Sequence, residues 1–269
     1  YRAALESQDE GLAIFEELGD KNGIAWSLAA RSKIECSLGN CSVAAETISR
    51  ALEMADEIGN EELIADTLLA RGTMGNLAGA DTVVDDLEQA RTHAESSGGR
   101  ITLLQVASEL ARALRSEGKL DESLTILDGV VSEARSLGVE SVLAVAEFYR
   151  AQTLLEHGDR DGAKVAASTA LGMAKSMGDR ELLLRCQCLL ARATLGDADS
   201  AESACSCLNV AAELARELGE AGLSFLSRQD IAGDLRAAIH ILGAAGRSED
   251  VKRFKELGLV GEAPDDGDA

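Results

Sequence analysis

The chain has 269 residues, 46% of them hydrophobic and 3% aromatic, and its 47 Asp+Glu against 26 Lys+Arg leave a formal net charge of −21. So much apolar material excludes a disordered chain. The single Pro excludes most sheet architectures, because Ala, Leu, Glu and Arg favour helix wherever Pro does not interrupt it. The acidity argues against nucleic acid and anionic membranes as partners, since a phosphate surface is held chiefly by clustered Lys and Arg.

In chain order, apolar residues at helical spacing predict helices at 3–18 and 22–38, ended by Leu18-Gly19 and Gly39. Helices at 41–58 and 60–77 end at Ile58-Gly59 and Gly79, and those at 80–97 and 100–117 at Ser97-Gly98-Gly99 and Gly118. Four more follow at 119–137, 139–157, 159–177 and 180–195, ended by Leu137-Gly138, Gly158, Met177-Gly178 and Gly196. The last are 198–218, closed by Leu218-Gly219, then 221–245 and a short helix at 248–257. The apolar-Gly punctuation recurs about every 40 residues, and the second Gly series cuts each period in half. A Gly past the last turn takes the left-handed conformation and stops the helix, so the repeating unit is an antiparallel helix pair. Asn40, Asn60 and Asp159 follow such glycines, where their side chains would cap the next helix. One pair cannot bury its apolar face alone. Stacked pairs can, which predicts an all-α fold, an α-solenoid of five to six repeats.

The stretch Gly23-Ile24-Ala25-Trp26-Ser27-Leu28, with Gly39-Asn40, Ala44 and Ala51-Leu52, resembles a tetratricopeptide repeat (TPR). It is similar to the form of about 40 residues found in C-terminal arms of bacterial signalling and transcription regulators. Leu110-Ala111, Leu114, Gly118 and Ser123 fit the same pattern, as do Ala151, Leu154, Gly158-Asp159, Ala163 and Ala170-Leu171. There are departures: Arg31, Arg71 and Arg150 stand where the pattern has Leu, and its Pro after the second helix is absent. The fifth repeat shifts phase near Gly196-Asp197-Ala198-Asp199. The expected organisation is a repeat array over 1–219, capping helices over 220–258 and an acidic disordered tail over 259–269.

Nothing in the sequence assembles catalytic chemistry. His93, His157 and His240 lie in well-separated repeats, and a repeat array brings only neighbours together. Gly158-Asp159-Arg160-Asp161-Gly162-Ala163-Lys164 lacks the spacing of a phosphate loop and reads as a turn. Cys186-x-Cys188 and Cys205-x-Cys207 fall on the two helices of one repeat. Residues two apart on a helix point about 200° apart, so one Cys of each pair is expected at the seam, as a small apolar side chain and not a zinc ligand. Cys36 and Cys41 flank the Gly39 turn, but six cysteines are too sparse for a disulfide scaffold and suggest a reducing cytoplasm. No catalytic residue, cofactor or metal is expected.

Two sets of residues remain. Arg31, Arg71, Arg112, Arg150 and Arg192 recur at near-repeat spacing, either as seam residues paired with carboxylates of neighbouring repeats or as a ladder facing an acidic peptide. The resemblance implies a concave wall made by first helices, with Trp26, Lys33, Asn76, Gln105, Arg112, Arg115, Phe148 and Gln152 at groove positions. For Trp26 and Phe148, ordinary packing between helices is the competing assignment. The implied function is a non-catalytic protein- or peptide-binding scaffold. It would be the cytoplasmic regulatory or sensor arm of a larger signalling protein whose nucleotide-switch, cyclase, kinase or DNA-binding part precedes Tyr1. The alternative is a stand-alone receptor for a signalling peptide or small ligand.

Overall fold

In a computed structural model of the chain, the described residues are 1–78, 80, 82–195, 201–218, 225–244 and 246–255. Among them lie thirteen α-helices and no strand. They are α1 (Arg2–Leu18), α2 (Lys21–Leu38), α3 (Cys41–Ile58), α4 (Glu61–Ala78), α5 (Val83–Ser97), α6 (Arg100–Ser116) and α7 (Leu120–Leu137). Then come α8 (Glu140–His157), α9 (Arg160–Met177), α10 (Arg180–Thr194), α11 (Ala201–Leu218), α12 (Phe225–Ala244) and α13 (Ser248–Lys255). The chain forms two compact units, Tyr1–Tyr149 and Arg150–Ala269, with the boundary inside α8. The expected phase shift at 196–199 and the acidic tail at 259–269 lie outside the described residues.

The punctuating glycines do what the period requires. Gly39 sits at φ 88° and its N–H donates to Cys36 O at 3.0 Å, so α2 stops and Asn40 turns the chain into α3. The start of α5 falls three residues later than expected, and the Ala80 N–H donates back to Gly75 O at 3.0 Å instead of opening that helix. Two of the three expected caps form: Asp159 Oδ1 accepts from Gly162 N at 2.9 Å and Asn60 Oδ1 from Leu63 N at 3.1 Å. Asn40 departs from the expectation. Its amide instead donates to Glu35 Oε2 at 2.7 Å, back onto the helix it follows.

Within the first unit α2 packs on α4 and α4 on α6, so the first helices of successive pairs stand side by side. The second helices α3, α5 and α7 cover them from the other side, each against its own first helix. In the second unit α10 packs on α9, α11 and α12, and α12 on α13. This is why Cys186 and Cys188 are both buried, against the expectation that only one of them would be: α10 is enclosed on more than one face. Of the second pair, Cys205 is buried and Cys207 half-buried. The fold is all-α, an α-solenoid stack of antiparallel helix pairs.

Candidate functional site

Counting from each helix's first residue brings the first helices into register. Trp26 of α2, Asp66 of α4 and Gln105 of α6 are each the sixth residue, and Lys33, Thr73 and Arg112 the thirteenth. Seven residues are two turns, so the two positions share one face of each helix. On that face Trp26 is 38% exposed, Lys33 and Gln105 are exposed, Asp66 and Thr73 are half-buried, and Arg112 is buried. The Thr102 hydroxyl donates to Asp66 Oδ1 at 3.2 Å, tying α6 to α4 beside this row.

At Arg112 this face meets a buried polar hub that joins three first helices. Glu109 of α6 accepts the Tyr149 hydroxyl of α8 on Oε1 at 2.9 Å. Its Oε2 accepts the Asn76 amide of α4 at 3.1 Å and faces Arg112 Nη1 at 3.4 Å. The same Asn76 amide also donates to the Glu109 backbone carbonyl at 3.1 Å. The Arg112 guanidinium stands 5.8 Å over the Tyr149 ring, and Phe148 packs against that ring with centroids 6.1 Å apart. Glu109, Arg112 and Tyr149 are all buried, so a carboxylate and a cation taken from water are compensated here by each other and by directed hydrogen bonds.

The eight sequence-predicted residues therefore divide. Trp26, Lys33 and Gln105 face solvent; Asn76 and Arg115 are half-buried; Arg112 and Phe148 are buried within the hub. Gln152, in the second unit, is buried, with no hydrogen-bond partner for Oε1 among the described residues. Glu109 and Tyr149 were missed by sequence reasoning. Both are the tenth residue of their helices, where α2 and α4 carry Ala30 and Ala70, and a large polar side chain at an alanine position was the available signal.

The arginine series proves to be two series. Arg31 and Arg71 are eleventh residues, Arg112 and Arg192 thirteenth, and this offset of two residues turns their side chains about 200° apart. The eleventh-position arginines reach second helices: Arg31 Nη1 meets Asp9 of α1 at 3.0 Å, and Arg71 grips Asp86 of α5 through two bonds of 2.6 and 3.0 Å. The thirteenth-position ones stay within the first-helix layer, Arg112 on Glu109 and Arg192 on Asp234 of α12 at 3.0 Å. Carboxylate pairing is seen at Arg31, Arg71, Arg112 and Arg192, with partners on the same helix, the same pair or an adjacent pair.

Thiols and histidine add little chemistry. Burial, and then the neighbouring Cys41 thiol, pushes Cys36 from 9.0 up to about 11, and burial pushes Cys186 up to about 12. These thiols are poor nucleophiles. His93 Nδ1 lies 2.7 Å from Glu61 Oε2, an exposed clip between α5 and α4. Among the described residues no group of three or more His, Cys, Asp or Glu side chains is placed to hold a metal ion, and no helix is long and apolar enough to cross a membrane.

No family model matches the chain, and no curated protein sequence does. Solved structures do. BtubC (BKLC) from P. vanneervenii matches with a TM-score of 0.54 at 13% identity, over 100% of this chain and 95% of that one. The nearly identical TPR-like repeats of a kinesin light chain-type protein of Podosopora anserina match with a TM-score of 0.52 at 17% identity, over 73% of this chain and 96% of that one. At such identities the likeness concerns the fold. The helix pairs, the period of about 40 residues and these two neighbours agree that this chain is a TPR-like α-solenoid.

Proposed function

We propose that the first-helix wall of the unit Tyr1–Tyr149 binds a protein or peptide and performs no reaction, with Trp26, Lys33 and Gln105 as the residues that touch the partner. The observation that carries this reading is Trp26, the chain's only Trp, held 38% exposed on the first-helix face. Trp is among the residue types that most often dominate binding energy once desolvated, and TPR-like scaffolds are generally interaction modules. Arg112 on the same face, with Asn76 and Phe148 in the hub, supports this row, and Arg115 serves the same wall. Gln152 serves a corresponding wall of the second unit.

The finer reading is a cytoplasmic regulatory or sensor arm of a larger signalling protein with its effector part upstream. The free, buried thiols of Cys186 and Cys188 fit a reducing compartment, and the short α13 fits a capping role for the last pair. Partners captured from the source cell's extract are to be titrated against the parent and a Trp26→Ala/Lys33→Ala/Gln105→Ala variant, with Trp26 emission as a local reporter for the parent. Each truncated contact is expected to cost about 1–3 kcal/mol of binding at unchanged helicity. Equal affinity of the variant for every captured partner refutes the assignment.

A further inference from the structure

The cysteines fall in three close pairs, and one pair differs from the others. Cys186 with Cys188 and Cys205 with Cys207 lie two residues apart on single helices, which turns their side chains about 200° apart. Cys36 and Cys41 lie on two helices: Cys36 in the last turn of α2, Cys41 as the first residue of α3. The turn between them is tightly closed. Gly39, at φ 88°, donates to Cys36 O at 3.0 Å, the Asn40 N–H donates to Glu35 O at 2.9 Å, and the Asn40 side-chain amide donates to Glu35 Oε2 at 2.7 Å. This reversal brings the Cys36 thiol within hydrogen-bond reach of the Cys41 thiol. Cys36 is buried and Cys41 is exposed. The repeat itself does not call for thiols here: the positions three before and two after the turn glycine hold Arg115 and Leu120 at Gly118, and Leu155 and Arg160 at Gly158.

We propose that the pair is an oxidation site: a small hydroperoxide oxidises Cys41, and Cys36 resolves the product into a disulfide across the Gly39 turn. In the first step the Cys41 thiolate sulfur attacks one peroxide oxygen and the O–O bond breaks. The leaving hydroxide takes up a proton, and Cys41 becomes a sulfenic acid, two electrons having passed from sulfur to peroxide. Cys36 then releases its proton to solvent and its sulfur attacks the Cys41 sulfur; the S–S bond forms, the S–O bond breaks and hydroxide leaves as water. Two thiols and one hydrogen peroxide thus give one disulfide and two waters.

The order of the steps follows from exposure and charge. Cys41 is open to the oxidant and Cys36 is covered. Burial holds the proton on Cys36, and so does the charge of a Cys41 thiolate beside it; conversion of Cys41 to a neutral sulfenic acid removes that charge before Cys36 has to ionise. A neutral peroxide also suits the chain's net charge of −21, which repels an anionic disulfide oxidant. In a reducing compartment the pair rests as thiols, and thiol–disulfide exchange reopens the bridge.

Trypsin reads the site directly, because both sulfurs lie on one peptide, from Ile34 to Arg50, that contains no other Cys. The chain is treated with about a tenfold excess of hydrogen peroxide at about pH 8, blocked in denaturant with N-ethylmaleimide and digested. At least about half of this peptide is expected unlabelled and lighter by two hydrogens, and dithiothreitol before blocking should restore both labels. Cys41→Ser should leave the Cys36 thiol reduced, and Cys36→Ala should leave Cys41 as a sulfenic acid that dimedone traps. A peptide that keeps both labels, that gains oxygen in place of losing hydrogen, or whose Cys41 is joined to a second chain overturns the proposal. So does oxidation of Cys36 at an unchanged rate in Cys41→Ser, since the buried thiol then needs no exposed partner.

Discussion

Replacing Tyr149 by Phe deletes a single oxygen from the buried hub. Tyr149 is 5% exposed and its hydroxyl donates to Glu109 Oε1 at 2.9 Å. The Phe ring keeps the contacts with Phe148 and Arg112. A hydrogen bond to a charged acceptor contributes about 1.5–3 kcal/mol. Glu109 Oε2 retains Asn76 and Arg112, so the lower half of that range applies, about 1.5–2 kcal/mol. With a urea m-value of about 2 kcal/mol per M, the unfolding midpoint falls by roughly 0.8–1 M. The assay is urea titration followed by Trp26 emission, which reports on α2, and by far-UV circular dichroism, which reports on all helices. Repeat arrays depart from all-or-none unfolding, so both probes are needed. A double-mutant cycle with Glu109→Gln isolates the pair and is expected to give about 1 kcal/mol of coupling. A midpoint unchanged within about 0.2 M, or additivity within about 0.3 kcal/mol, refutes the hub as a link between first helices.

Arg71→Met strands Asp86 in a buried site, and since Arg71 is one-third exposed the loss is about 2 kcal/mol, below the range for a fully buried pair. Adding Asp86→Leu should recover at least half of it in the same titration; no recovery means the pair is not what Arg71 contributes. Asp159→Ala removes the cap of α9 and should lower stability by about 1 kcal/mol, a loss that calorimetry of the variant checks. The Cys36 thiol holds its proton more tightly folded, with a pKa of about 11, than unfolded, near 9.0. The unfolded chain therefore releases that proton first, and stability declines as pH rises from about 9 to 11. The urea midpoint should be lower at about pH 10.5 than at about pH 8, with a smaller drop in Cys36→Ala; an identical drop excludes Cys36 as a source.

Helices, their pairing and the period were legible in the amino-acid order because they rest on local rules: a Gly every half-period that accepts positive φ, and apolar residues at helical spacing between them. Asp159 and Asn60 cap as their positions indicate, since a cap depends on the three residues that follow it. What tertiary structure decided is which side of each helix meets what. The five arginines look like one ladder along the chain, yet a slip of two residues sends Arg31 and Arg71 toward second helices and Arg112 and Arg192 along the first-helix layer. Of the predicted wall residues, Trp26, Lys33 and Gln105 are exposed while Arg112 and Phe148 are buried, a division set by Tyr149 and Glu109 arriving from different helices. Hydrophobic periodicity fixes where a helix runs, but the partner of a polar side chain lies about 40 residues away, and only packing brings the two together.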